Sequence, residues 1–152
     1  MYKLFALALI VAVFSISSAF AQEYRNFNGL MIRVDNAAKQ GMKSRDFSRI
    51  IEIQIADDRG FSPRDYHNGC VFDSLSGPKP ITFYNRNELP HRGWNSMKVI
   101  ADGAKITTYV NGAKVIDGTL PQNKLSSSSG RIGLMGFGGT TTFRNISIKE
   151  LP

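Results

Sequence analysis

Short runs in which apolar and polar residues alternate constrain this chain more than any other feature of its sequence. These runs recur after residue 21 and are bounded by Gly, Asn, Asp and Pro, whereas helical periodicity is almost absent. Two boundaries, Asp102-Gly103 and Asn111-Gly112, are dipeptides that favour type I′ turns because they tolerate positive φ. The pattern predicts an all-β, antiparallel fold that contains a three-stranded meander around these two turns.

The last alternating segment carries an irregularity. Its apolar positions change parity between Phe143 and Ile146, which predicts a β-bulge near Arg144 and Asn145. Such a bulge keeps apolar side chains on one face of the sheet on both sides of the extra residue. The predicted strands are Gly29–Val34, Arg49–Ala56, Cys70–Ser74, Ile81–Tyr84, Ser96–Ala101, Lys105–Val110, Ala113–Asp117, Arg131–Met135 and Thr141–Glu150.

Residues 1–21 have the order of a secretory signal. Lys3 precedes an apolar run over residues 4–16, and small residues then end at Ala21. The run is shorter than the roughly 20 apolar residues that a membrane-spanning helix needs, so we expect no stable membrane insertion. We expect cleavage after Ala21, which leaves residues 22–152 as one exported domain.

Charge and cysteine content exclude several classes of protein. The net charge is +7, but the 19 basic residues are spread along the chain without a run of five, which favours a solvated surface over a nucleic-acid interface. Cys70 is the sole cysteine and lies in an apolar context, so we expect a buried small hydrophobe and no internal disulfide. No metal-ligand spacing, nucleophile elbow or phosphate loop is present, so we predict no metal site, and any cofactor is left unknown.

Several segments match the motifs of one known protein family. Asn28–Arg33 is similar to its Asn-Ser-Gly-(apolar)₃-Arg strand with one residue dropped, and Glu52–Ile55 with Asp57 matches its Glu-x-Gln-Ile-x-Asp strand. The chain thus resembles the 3-keto-disaccharide hydrolase domain family from about residue 28 onward. The other similar segments are Gly69–Asp73, Trp94-Asn95, Asn111-Gly112, Gly130–Leu134, Phe143–Ile146 and Lys149–Leu151.

This resemblance implies a fold and a location. The family has a concanavalin-like jelly-roll sandwich, and its members are mostly exported bacterial proteins, so a periplasmic or extracellular location is expected. The chain departs from the family in lacking several strands before Asn28 and a His-Gly pair after Leu134, where it has Met135 and Gly136. Missing strands expose unpaired backbone groups, which makes self-association through an open sheet edge a further expectation.

The resemblance also implies an activity on saccharides. Family members cleave the glycosidic bond of a sugar that is oxidised to a ketone at carbon 3, and this ketone acidifies the neighbouring C2 proton. Glu52 and His67 are candidates for the base that starts an elimination. Asp57 would be the second carboxylate of a direct hydrolysis, although turn capping is its simpler role. Two alternatives stay open, a non-catalytic carbohydrate-binding jelly-roll module and a decayed sequence that does not fold alone.

Four further side chains are candidates for holding the saccharide. Arg33 and Gln54 are expected near Glu52 if their strands are neighbours, and together they offer donors and acceptors to hydroxyl pairs. The alternative is an ordinary solvated sheet face. Tyr66 and Trp94 are aromatic platforms for a sugar ring, although the strand that begins near Trp94 favours a core role for it.

Overall fold

Two antiparallel sheets make up the fold. The computed structural model describes residues 8–17, 27–34, 51–56, 68–73, 93–120, 130–137 and 140–150. Within these ranges no helix is long and apolar enough to cross a membrane. The strands are β1 (Ala8–Ser17), β2 (Phe27–Val34), β3 (Ile51–Ala56), β4 (Val71–Asp73), β5 (Gly93–Asp102), β6 (Lys105–Val110), β7 (Ala113–Thr119), β8 (Arg131–Phe137) and β9 (Thr140–Glu150).

The sheets pack face to face around one core. The five-stranded sheet has the order β7-β6-β5-β1-β9, and the four-stranded sheet has the order β4-β3-β2-β8. Leu30 and Ile53 of the smaller sheet and Val99 and Ile106 of the larger sheet are fully buried in the same cluster. The predicted all-β antiparallel sandwich is therefore confirmed.

Alternation along the strands assigns the core as predicted. In β3 the side chains of Ile51, Ile53 and Ile55 are buried in the cluster between the sheets. In β5 exposed or half-buried positions alternate with buried ones from Asn95 onward. Cys70 is also buried, as the sequence predicts.

The meander β5-β6-β7 forms as predicted, but its two turns differ. Asn111 and Gly112 connect β6 to β7 with φ angles of 50° and 82°, which confirms the type I′ prediction. At the first turn Asp102 pairs with Lys105, so the loop residues are Gly103 and Ala104.

The type I′ prediction for Asp102-Gly103 is therefore wrong. Of the loop residues, only Gly103 has positive φ, at 51°. A two-residue hairpin with positive φ at a glycine in its first position is a type II′ turn. The dipeptide marks a turn correctly, and strand pairing moves the turn by one residue.

The predicted bulge in β9 is confirmed. Val13 pairs with Arg144 while Val11 pairs with Ser147, so β9 contains one more residue than β1 over this interval. Asn145 lies inside it with a φ of 53°. The extra residue explains the parity change of the apolar positions.

β1 is a strand that the sequence pattern does not predict, because it lies inside the predicted secretory signal. It pairs with β5 from Ala8 to Ile16 and with β9 from Ala8 to Ser17. The remaining predicted strands match β2 to β9 with shifted ends, except that the predicted strand Ile81–Tyr84 lies outside the described residues.

Candidate active site

One face of the four-stranded sheet points away from the isoleucine core, and we call it the outer face. Strand register places Glu52 opposite Met31, and Met31 opposite Gly133. In the next row Gln54 lies opposite Gly29. Glu52 and Gln54 therefore share this face with Gly29 of β2 and Gly133 of β8, which contribute no side chain.

Glu52 is buried although it faces away from the core. Its exposed fraction is 8%. Its side chain lies over Gly29, where an added Cβ would be 2.7 Å from Glu52 Cγ and 2.8 Å from its Oε1. A glycine in a strand interior often marks such a close approach, which was a signal available in the sequence. Gly29 therefore belongs to the site, a role that was not predicted from the sequence.

Burial changes the acidity of this carboxyl group. Removal from water raises the pKa of Glu52 from 4.5 to about 7, because desolvation penalises the charged form. Glu52 is thus present in both protonation states near neutral pH. A carboxyl group in this condition is suited to transfer protons.

Gln54 is fixed beside Glu52 by the backbone around it. Its N–H donates to the Cys70 carbonyl at 2.8 Å, and its carbonyl accepts from Gly69 N–H at 2.8 Å. The side-chain Nε2 donates to the Ile55 carbonyl at 3.2 Å. This strand end is therefore held in place by the neighbouring segment Gly69-Cys70.

The segment next to Gln54 is also tied to the opposite sheet. Gly69 has a φ of 81° and its carbonyl accepts a hydrogen bond from Thr108 Oγ1 at 2.8 Å. Asn68 is buried. Tyr66 and His67, which immediately precede this anchored segment in the sequence, lie outside the described residues, and so does Asp57.

The structure places Arg33 against the other sheet. Arg33 has a φ of 56° where the pairing of β2 with β8 shifts register. Its Nη2 donates to the carbonyl of Gly103 at the β5–β6 turn. β2 and β3 are neighbours as expected, but among the described contacts none joins Arg33 to Glu52. The irregular backbone at Arg33 directs its side chain toward the other sheet instead. Arg33 as a saccharide-binding residue stays a prediction.

Trp94 lies on the opposite side of the sandwich from Glu52. It is 43% exposed on β5, so the expectation of a core role is wrong. The guanidinium of Arg144 from β9 covers its ring at 3.8 Å from the centroid. Alternation predicted a strand that begins at Ser96, just after Trp94, but the sheet to which this strand belongs depends on pairing between distant segments. Of the four described candidates, the structure brings together only Glu52 and Gln54.

The described part of the chain holds no group of three or more His, Cys, Asp or Glu residues placed to bind a metal ion. The chemistry that the described outer face offers is that of the Glu52 carboxyl, which lies over Gly29, and of the neighbouring Gln54 amide. The carboxyl can accept and return a proton.

Two solved structures share this fold. Both are proteins of Parabacteroides distasonis that are provisionally assigned as glycosyl hydrolases. The first has a TM-score of 0.67 at 16% identity over 96% of this chain and 72% of its own. The second has a TM-score of 0.60 at 18% identity over 95% of this chain and 78% of its own. At these identities the similarity concerns the fold, and it confirms the jelly-roll class.

Family membership comes from the sequence itself. No curated protein matches the chain. The family described as the 3-keto-alpha-glucoside-1,2-lyase-like domain matches residues 11–149, which is most of the chain. The match confirms the resemblance seen in the strand motifs. The chain therefore belongs to the 3-keto-alpha-glucoside-1,2-lyase-like domain family.

Proposed function

We propose that this protein cleaves the glycosidic bond of 3-keto-glucosides, with Glu52 as its base. The observation that carries the proposal is the buried Glu52 carboxyl, with a pKa of about 7, over Gly29 on the outer face. Membership of the lyase-like family and the glycosyl hydrolase-like fold support a carbohydrate-active role.

The proposed reaction begins at carbon 2 of the sugar. The carbonyl at C3 acidifies the C2 hydrogen, and the Glu52 carboxylate takes this proton as the C2–H electron pair moves into an enolate. The enolate then forms a C1–C2 double bond and breaks the C1–O bond. The aglycone leaves with this electron pair and takes up one proton to become a free alcohol, and water adds to the double bond afterwards.

The pKa of Glu52 suits this step. An effective base must be deprotonated at the working pH and still bind a proton well, which places its best pKa near that pH. A carboxylate with an ordinary pKa would be deprotonated but a weaker base. His67 remains the alternative base and Asp57 the second carboxylate of a direct hydrolysis, and Gln54, Arg33 and Tyr66 remain candidates for sugar binding.

The direct test is Glu52→Gln, which keeps the side-chain shape and removes the base. We expect release of free sugar from a glucose disaccharide oxidised at C3 to fall by about 10²- to 10⁴-fold. Exchange of the C2 hydrogen with deuterium from solvent should fall in parallel. Glu150→Gln is the matched control, because Glu150 is an exposed carboxyl at the end of β9.

The outcomes separate the alternatives. Turnover that survives in Glu52→Gln removes Glu52 as the base. Sugar binding by the wild type with neither exchange nor release identifies a non-catalytic carbohydrate-binding module instead. In the wild type, kcat/KM should rise with pH and reach a plateau above about 7, because the base must lose its proton.

A further inference from the structure

The centre of the five-stranded sheet is filled by β1. Its residues pair with β5 in unbroken register from Ala8 opposite Ala101 to Ile16 opposite Gly93. On its other side they pair with β9 from Ala8 opposite Glu150 to Ser17 opposite Thr140. In the sheet order β5 and β9 are not neighbours, so β1 is what connects them.

Removal of β1 would leave a slot between two long strands. One edge of β5 and one edge of β9 would each lose the partner of their N–H and C=O groups along about ten residues. Unpaired backbone groups are costly when buried and recruit other strands when exposed. A sheet with this slot empty is therefore incomplete.

A second observation points to the same segment. The family match begins at residue 11, inside β1, and not after Ala21. The bulge of β9 also lies opposite this strand, between the pairs of Val11 and Val13. The family match thus includes residues 11–17 of β1, which also lie in the predicted signal.

We propose that residues 8–17 are a lasting strand of the folded domain and the occupant of a strand-acceptor slot between β5 and β9. The same segment is then compatible with two roles, because a continuous apolar run suits both a secretory signal and a central strand. A chain cut after Ala21 would have to regain this strand to rebuild the sheet.

The first test changes the backbone of β1 in the full chain, produced in the cytoplasm so that residues 8–17 are retained. Val13→Pro removes an N–H in the middle of the strand, whereas Val13→Thr keeps it together with a β-branched side chain. We expect Val13→Pro to lower the thermal midpoint by about 10 °C or to abolish cooperative unfolding, with Val13→Thr close to wild type. Equal midpoints for Val13→Pro and Val13→Thr would overturn the proposal.

The second test reads the register directly and does not depend on loss of folding. A residue in the middle of an antiparallel sheet lies opposite one residue on each neighbouring strand. Its backbone is hydrogen-bonded to one of these two residues, and its side chain is closer to that of the other, non-hydrogen-bonded residue. Val13 lies opposite Ser96 and Arg144. We would pair Val13→Cys with Ser96→Cys or with Arg144→Cys, in a Cys70→Ala background.

We expect at least one of these pairs to form an intramolecular disulfide on mild oxidation. For the Ser96 pair, trypsin should then release residues 4–25 linked to residues 93–98, detectable by mass spectrometry. The off-register pair Val13→Cys with Asp102→Cys should not form the bond. Absence of both in-register bonds, or equal yield from the off-register pair, would overturn the proposal whatever the enzymatic activity.

Discussion

The buried carboxyl of Glu52 couples the stability of this protein to pH. Its pKa is about 7 in the folded state against 4.5 for an ordinary glutamate. Between these values the folded state binds more protons than the unfolded state, so the free energy of unfolding falls as pH rises from about 4.5 to about 7. Over this pH range Glu52 lowers the free energy of unfolding by at most about 3 kcal/mol.

Glu52→Gln tests this coupling, because the amide has no charge to bury. We expect the variant to gain stability over wild type as pH rises through this window and to show little difference below it. Urea unfolding at a series of pH values measures the effect, and Glu150→Gln should follow the wild-type curve. Parallel curves for Glu52→Gln and wild type would show that Glu52 has an ordinary pKa.

The close contact of Glu52 with Gly29 leads to a second prediction. A Cβ at residue 29 would lie 2.7 Å from Glu52 Cγ, whereas a Cβ at Gly133 would meet the flexible Cε of Met31 at 2.7 Å. We expect Gly29→Ala to displace Glu52, destabilise the fold by about 1 to 3 kcal/mol and reduce sugar release. Gly133→Ala, on the same face, should cost less than about 1 kcal/mol because a methionine end can move.

Thermal unfolding and sugar release of both variants decide the matter. Equal effects of the two substitutions would mean that Glu52 moves as easily as Met31, and that Gly29 has no special place in the site.

Residue alternation could predict some of this site and not the rest. It placed Glu52 and Gln54 on one face and the isoleucines on the other. It could not predict that Glu52 is buried, since the outer face of a sheet is usually solvated. The direction of Arg33 follows from a positive φ at a register shift, which is unusual for arginine and has no sequence signal.

Among the elements, the β6–β7 hairpin depends on Asn111. Its Oδ1 accepts from Ser96 N–H at 2.9 Å, and its Nδ2 donates to Oδ1 of the buried Asn95 at 2.9 Å. Its φ of 50° also suits asparagine better than most residues. The turn residue thus joins its own hairpin to β5.

Two substitutions separate these contributions. Asn111→Gly keeps the backbone conformation and loses the hydrogen bonds, so we expect a loss of about 1 to 2 kcal/mol. Asn111→Ala adds backbone strain, and we expect a further loss of about 1 kcal/mol. Urea unfolding measures both, and an alanine variant as stable as the glycine variant would contradict the role of the positive φ.

Elements were predictable where the pattern was local. Asn111-Gly112 defined its turn completely, whereas Asp102-Gly103 needed the pairing of Asp102 with Lys105 to place the loop one residue later. β1 was not predicted as a strand because a continuous apolar run has no alternation to distinguish a buried strand from a signal segment.

For the whole molecule, the sequence predicted an all-β jelly-roll sandwich but not the order of its strands. Pairing such as β1 with β9 joins residues more than a hundred positions apart, and hydrophobic alternation contains no information about such partners. The sequence therefore could not show that Trp94 and Glu52, both candidates for one sugar site, belong to different sheets.

The strand order also leaves apolar side chains exposed on two edge strands. β9 and β8 are edge strands of the described sheets. Ile146 and Ile148 of β9 are 45% and 58% exposed, and Leu134 of β8 is 45% exposed. A long edge strand with exposed apolar residues favours association with another chain.

We therefore predict concentration-dependent self-association that Ile148→Thr weakens by about tenfold, because burial of an isoleucine contributes roughly 1.5 kcal/mol or more. Ser147→Thr, at the adjacent position of β9, is the matched control and should associate like wild type. Sedimentation velocity over a range of concentrations measures both variants. Monomeric wild type throughout that range, or equal association of the two variants, would show that the β9 edge does not drive assembly.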